Sequence, residues 1–143
     1  SAAVLVSPTA ATSSYVIQCD GTVDQVHYSS GAGGAIAKAR IKCKSTSSVV
    51  TSATVHLECV IGLSTTSTAG PWVVRAASGY SQSVQTGFNN WGASKTYYCP
   101  HQSGANAGRG TGYWKASFAG SITSPGQFAN VAGGTSITPW KTI

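Results

Sequence analysis

Few side chains in this sequence are suited to acid–base or nucleophilic catalysis. The only acids are Asp20, Asp24 and Glu58, whereas a glycosidase needs two carboxylates that converge on one sugar bond. Serine is abundant, but the G-x-S-x-G motif is absent and no His or Asp stands in a sequence context that would activate a hydroxyl. The sequence therefore predicts a protein that is not an enzyme, with Asp24, His27, His56 and Glu58 as ordinary exposed residues.

Metal and phosphate sites are disfavoured on similar grounds. His27, His56 and His101 have no ligand-like spacing. His56 and Glu58 project from the same face of one predicted strand, where a structural pair is expected. The Gly-rich run 108–112 lacks the Lys-Ser/Thr of a phosphate loop, and no helix is predicted after it. We expect no metal and no cofactor.

Four cysteines are spread over the chain without a C-x-x-C pair, a pattern typical of disulfides rather than of zinc or redox sites. Four cysteines allow three pairings. The pairing of Cys19 with Cys43 and of Cys59 with Cys99 is favoured because it joins segments predicted as strands. The disulfides, and a start at Ser1-Ala2-Ala3 without Met, predict a mature chain that is secreted and extracellular.

The charge balance is unusual. The 143 residues include 9 Lys and Arg against 3 Asp and Glu, for a net charge of +6. Because nine is a low number, the excess reflects a scarcity of acids rather than the dense basic patch of a nucleic-acid-binding protein. No apolar stretch approaches the ~20 residues that span a bilayer. The sequence thus predicts neither a nucleic-acid partner nor a membrane span.

Residues 35–44 show the clearest alternation in the chain. Odd positions are apolar and the later even positions are basic, which directs Lys38, Arg40, Lys42 and Lys44 to one solvent face of a strand. Such a row suits binding to an anionic cell-wall polymer, an acidic protein or lipid headgroups. The alternative is a solvated strand face that discourages edge-to-edge aggregation.

Residues 87–114 are rich in Gly and in aromatic side chains, as are loops that bind proteins or sugars. Trp91 and Tyr113 are candidates for carbohydrate recognition. Together with Arg109 they belong to the predicted partner-binding set. Trp114 is predicted to lie in the core, on the strand face opposite Tyr113.

The chain as a whole has the pattern of an all-β protein. About eight short segments alternate with period two between turn residues, and no stretch has the 3.6-residue period of a helix. We predict an antiparallel, immunoglobulin-like β-sandwich stapled by two disulfides. A turn is expected at Asp20-Gly21, and separate strands are expected over Trp72–Ala77 and Ser81–Thr86.

Residues 1–14 carry no charge and are predicted to form an extended N-terminal arm before a single β-sandwich domain over 15–143. The composition of the arm is compatible with three alternatives: a first strand of the domain, a disordered leader, or a strand that adds to the sheet edge of another protein. In the last case Val4, Leu5 and Val6 contact the partner.

The order of several short motifs carries a family resemblance. The motifs are Cys19, Lys42-Cys43-Lys44, VVTSATVHL over 49–57, Tyr97-Tyr98-Cys99, and a Gly-rich turn into Gly112-Tyr113-Trp114. In this order, over residues 15–140, the chain resembles small secreted β-sandwich proteins of Streptomyces and related actinobacteria. Within that group it is similar to the adaptor subunit of umbrella-shaped toxin particles, which joins a lectin-like subunit to a stalk. The resemblance implies an adaptor in a secreted toxin assembly, with the arm as an inserted strand.

Three functions follow, and each uses a different surface. The first is a secreted, non-enzymatic binding or adaptor protein that joins extracellular protein partners, through the arm. The second is a basic antimicrobial or cell-envelope-binding protein that uses the cationic row. The third is a carbohydrate-binding module that uses Trp91 and Tyr113.

Overall fold

Alternation of apolar and polar residues produces strands along most of the chain. A computed structural model describes residues 2–3, 15–126 and 130–143, and the described chain has no helix long and apolar enough to cross a membrane. Its strands are β1 (Ala2–Ala3), β2 (Ile17–Val23), β3 (His27–Ser29), β4 (Gly34–Ser45), β5 (Ser52–Ser64), β6 (Val73–Phe88), β7 (Lys95–Cys99), β8 (Thr111–Ser124), β9 (Asn130–Ile137) and β10 (Lys141–Thr142).

The strands form one continuous, curled sheet with the shape of a half-barrel. Their hydrogen-bonded order is β1-β9-β8-β5-β6-β4-β2, while β3 and β7 also pair with β4 and β10 pairs with β8. This order has two parts, β1-β9-β8-β5-β6 and β4-β2. They are joined where residues 86–88 of β6 run parallel to residues 43–45 of β4. The all-β prediction is confirmed. An immunoglobulin-like sandwich is not confirmed, because β6 links both halves into a single sheet.

The core lies on the concave side of this sheet. β4 alternates between buried and more exposed positions from Ala35 onward, and β5 does so up to Ile61, as their sequences predicted; the last residues of β5, Ile61–Ser64, are all buried. Trp114 and Tyr97 are the largest fully buried side chains, which confirms Trp114 as a core residue. Truncating a buried aromatic of this size to Ala costs about 3–5 kcal/mol. These two rings therefore contribute a large share of the stability of the domain.

Two disulfides fasten the strands to one another. Cys19 of β2 is bonded to Cys43, which lies directly opposite on β4, and Cys59 of β5 is bonded to Cys99 of β7. The pairing predicted from the sequence is confirmed. The bonds span sequence separations of 24 and 40 residues. In the loop-entropy model each bond stabilises the fold by roughly 3–4 kcal/mol.

Two predicted interruptions of the chain lie inside strands instead, each at a position where the structure has a glycine. β2 continues through Asp20-Gly21, because the absence of a side chain at Gly21 leaves room for the Ile41 side chain. β6 runs unbroken from Val73 to Phe88, and at Gly79 the carboxylate of Glu58 occupies the space of a side chain. The predicted turn and the predicted pair of short strands are therefore wrong.

Tyr97 connects β7 to β5 inside the core. Its hydroxyl donates a 2.6 Å hydrogen bond to the Val55 carbonyl, and its ring centroid lies 5.2 Å from that of Tyr80. Burial raises the pKa of Tyr97 well above its ordinary value, and burial is also the main cause of a raised pKa at Tyr80. Both phenols therefore stay neutral in the folded protein at pH values that ionise them in the unfolded chain.

We expect the free energy of unfolding to fall as the pH rises above about 10. Above that pH the unfolded chain releases the Tyr97 proton while the folded protein keeps it. The free energy of unfolding therefore falls by up to about 1.4 kcal/mol for each further pH unit and each retained proton. Tyr97→Phe should show a shallower loss between about pH 9 and pH 11 in denaturant titrations. Equal slopes for Tyr97→Phe and the wild type would contradict this account.

Candidate functional site

The outward side of β4 carries four cations. Because side chains alternate along a strand, Lys38, Arg40, Lys42 and Lys44 all point away from the buried alanines and Cys43. We call these four residues the basic face. Every second residue advances about 7 Å along a strand, so the row is about 20 Å long. The predicted cationic row is present.

Trp91 lies at one end of the basic face, although it belongs to a distant loop. The Lys42 and Lys44 ammonium nitrogens lie 5.1 Å and 4.8 Å from the centroid of its ring. Attraction between each cation and the ring offsets part of the repulsion between the two cations. Two positive charges are thereby held close together at a half-exposed surface.

The loop that carries Trp91 is fixed to β4 by main-chain hydrogen bonds. The Asn89 N–H donates to the Ser45 carbonyl at 2.8 Å, and the Gly92 N–H donates to the Cys43 carbonyl at 2.9 Å. Trp91 lies between these two anchors, and its own N–H donates to the Asn90 side-chain oxygen at 2.9 Å. The ring is therefore placed beside the lysines before any partner arrives.

Two of the three acids of the chain lie along the same face. Asp24 forms an ion pair with Arg40, with 2.6 Å between the charged atoms, and Asp20 lies directly opposite Lys42 across the β2–β4 pair. An exposed pair of this kind contributes about 0–1 kcal/mol to stability. The acids lower the charge in the middle of the basic face, so the positive potential is concentrated toward Lys38 and the Lys44 end.

Tyr98 flanks the opposite end of the basic face. It lies directly across from Lys38 in the β4–β7 pair, and the Lys38 ammonium is 5.6 Å from its ring centroid. Tyr98 is 46% exposed. Each end of the row therefore combines an aromatic ring with at least one lysine, an association that the sequence did not predict.

The predicted partner-binding residues are dispersed. Trp91 contacts the basic face, Arg109 lies over the Tyr28 ring at 5.0 Å, and Tyr113 packs edge-on against Trp140 with centroids 5.2 Å apart. Trp91 and Tyr113 thus have different neighbours and do not share one aromatic platform. The arm residues Val4, Leu5 and Val6 lie outside the described residues.

The predicted pair of His56 and Glu58 is confirmed, and it belongs to a hydrogen-bonded chain whose third member, Ser81, sequence reasoning missed. Ser81 lies opposite His56 in the β5–β6 pair, and its Oγ is 2.9 Å from His56 Nδ1. His56 Nε2 is 2.6 Å from a Glu58 carboxylate oxygen. With the ring proton on Nε2, His56 donates to Glu58 while Nδ1 accepts from the Ser81 hydroxyl. These are the residue types of a serine-hydrolase triad, with the roles of the two ring nitrogens exchanged.

The surroundings of the hydrogen-bonded Ser81, His56 and Glu58 side chains do not suit acyl transfer. Catalysis of that kind needs N–H donors aimed at the oxyanion that forms beside the nucleophile. Ser81 projects from the outer face of β6, and the N–H groups of a strand lie in the plane of the sheet, away from a charge above it. The side chains of His56 and Glu58 are 38% and 67% exposed, so water reaches the site.

Comparisons with known proteins add no relative. No protein-family model matches the chain, and no curated protein matches it. Within residues 2–3, 15–126 and 130–143, no three His, Cys, Asp or Glu residues are placed to hold a metal ion.

We expect Ser81 to be unreactive toward a fluorophosphonate probe, because the N–H groups of the strand that carries it lie in the plane of the sheet rather than toward an oxyanion above it. Intact-mass spectrometry of the native protein after incubation with the probe should show no added mass. Ser81→Ala and His56→Ala serve as matched controls. Labelling at Ser81 that disappears in His56→Ala would show an activated serine and would contradict a non-enzymatic role.

Proposed function

We propose that the protein is a non-enzymatic binding protein that works outside the cell and contacts an anionic macromolecule through its basic face. The observation that carries this proposal is the convergence of the Lys42 and Lys44 ammonium groups on Trp91, on the exposed side of the same strand as Lys38 and Arg40. An anionic cell-wall polymer or glycan has the required charge.

The charge distribution of the whole chain supports an anionic partner. The net charge is +6, and each of the three acids lies beside a cation or a histidine. A partner of negative charge is therefore attracted from a distance and meets little repulsion on contact. Asp20 and Asp24 offset two of the four cations of the basic face. This favours a polymer of moderate charge density over nucleic acid, because binding to nucleic acid depends on many basic residues that neutralise phosphates.

An extracellular location agrees with the covalent structure. All four cysteines are in disulfides, and such bonds persist in secreted proteins but are rare in the reducing cytosol. Cys43 lies between Lys42 and Lys44, so one of the two bonds supports the strand that presents the binding residues. The proposed site and the proposed compartment are thus linked through the same residue.

Replacing Lys42 and Lys44 together by Gln should weaken binding to inorganic polyphosphate about tenfold at low salt, because two exposed charge contacts of about 0.7 kcal/mol each are lost. Affinity should also fall steeply for the wild type as salt is added. The matched control is Lys115→Gln with Lys141→Gln, which removes the same charge from β8 and β10. Titration calorimetry of the wild type, the variant and the control would measure the affinity at each salt concentration. Equal weakening in the control would mean that net charge, rather than the basic face, determines binding.

A second candidate function is that of an adaptor that joins extracellular proteins, and one observation favours it. Ala2 and Ala3 form a short strand antiparallel to β9, with Ala2 opposite Ala132 and Ala3 opposite Val131. The beginning of the chain thus takes up extended structure at a sheet edge. β1 is the end strand of the sheet order, so in this proposal the arm, residues 2–12, keeps its Ala2–Ala3 pairing with β9 and adds its other edge to the sheet of a partner, as in β-augmentation. The resemblance to adaptors of umbrella toxin particles implies the same role.

Deletion of residues 1–12 should abolish co-purification of specific proteins with the tagged chain from its native culture fluid, if the arm supplies the contact. The control is the Lys42→Gln, Lys44→Gln variant, which keeps the arm and should recover the same proteins. Unchanged recovery after the deletion would refute the role of the arm.

A further inference from the structure

A groove lies next to the basic face, beyond Lys38. Ile36 is the residue before Lys38 on the outward side of β4, and it lines the groove together with Tyr98 and Pro100. Residues 29–33 and 102–105 form two turns that wall the groove, which is open to solvent and has a volume of about 310 Å³. Ligand sites in proteins start at about 300 Å³, so this space suits one small ring. We call it the end groove.

The walls of the end groove are joined by hydrogen bonds within the protein. The Gly33 N–H donates to the Ser29 carbonyl at 2.8 Å, which closes the first turn, and the Ala105 N–H donates to the Gln102 carbonyl at 3.0 Å, which closes the second. The Asn106 side chain joins the two turns by donating to the Ala32 carbonyl at 2.6 Å. A groove that is already formed loses little entropy when a ligand binds.

The lining combines aromatic surface with small polar groups. Tyr98 is held by its N–H, which donates to the Tyr80 hydroxyl at 2.8 Å, and the His101 ring stacks on Tyr80 with centroids 3.5 Å apart. The remaining lining residues are small, hydroxyl-bearing or amide-bearing: Ser29, Gly31, Ala32, Gln102, Ser103, Gly104 and Ala105. Sites of this composition bind ligands that have an apolar face and a polar edge.

We infer that the end groove binds one sugar ring of an acidic polysaccharide, while the basic face pairs with the acid groups of the same polymer. A pyranose ring has C–H faces that pack on an aromatic side chain and hydroxyls that bond to polar groups at its edge. The Lys38 ammonium is 5.6 Å from the Tyr98 centroid. An acid group on a sugar ring packed against Tyr98 would therefore lie close enough to Lys38 to form an ion pair. This inference rests on the proposed binding of an anionic macromolecule and names its chemical class.

Other anionic polymers would use the surface differently. A polyphosphate or a polyglutamate has no ring to place against Tyr98, so its binding depends on the lysines and Arg40 alone. Removing the Tyr98 ring therefore distinguishes a polysaccharide from the other two. The backbone N–H of Tyr98, which bonds to Tyr80, is kept in any such variant.

The test is titration calorimetry of the wild type with polygalacturonate, hyaluronate, inorganic polyphosphate and polyglutamate. Tyr98→Ala should lower the affinity for at least one of the two polysaccharides about fivefold and change the affinity for the other two polymers less than twofold. Tyr98→Phe is the matched control and should retain binding, since it keeps the ring. Lys42→Gln with Lys44→Gln should weaken binding of all polymers that bind.

The outcomes separate this inference from the proposed function. If Tyr98→Ala leaves polysaccharide binding unchanged, or weakens all four polymers equally, the sugar site is wrong while charge-based binding stands. If polyglutamate or polyphosphate binds and neither polysaccharide does, the sugar site is wrong in the same way. If the wild type binds none of the four, both proposals are wrong.

Discussion

β4 pairs with four other strands, and the rest of the structure is arranged around its two sides. One side carries alanines, Ile41 and Cys43, which pack into the core, and the other carries the four cations. Small side chains on the inner side lie beside larger core residues: across the β4–β7 pair, Ala39 is directly opposite Tyr97. The same alternation that fills the core therefore also builds the basic face.

The parts of the fold that depend on local pattern could be predicted from the sequence. Strict period two identified β4 and β5, and joining predicted strands selected the correct disulfide pairing among three. The predictions failed where a glycine accommodates a neighbour from another strand, as Gly21 does for Ile41 and Gly79 for Glu58. A glycine that makes room for a distant side chain has the same sequence signal as one that turns the chain.

The overall topology was out of reach for a related reason. The halves of the sheet are joined by a parallel contact of three residues on each strand, between 43–45 and 86–88. Nothing in either segment alone specifies this pairing. The candidate site likewise has a local and a non-local part. The cationic row follows from the alternation of one strand. The position of Trp91 beside it, and the register that brings Ser81 to His56, depend on how the strands pair in the folded sheet. Strand assignment alone does not predict either arrangement.

The bond between Cys19 and Cys43 has a consequence for the charges beside it. A shift of a strand by one residue relative to its neighbour turns every side chain to the opposite side of the sheet. For β4 such a slip would bring four cations into the interior and expose the alanines. Because Cys19 and Cys43 face each other directly, their covalent bond permits only one alignment of β2 with β4. The disulfide thus acts as a register lock that determines which side of the strand is positively charged.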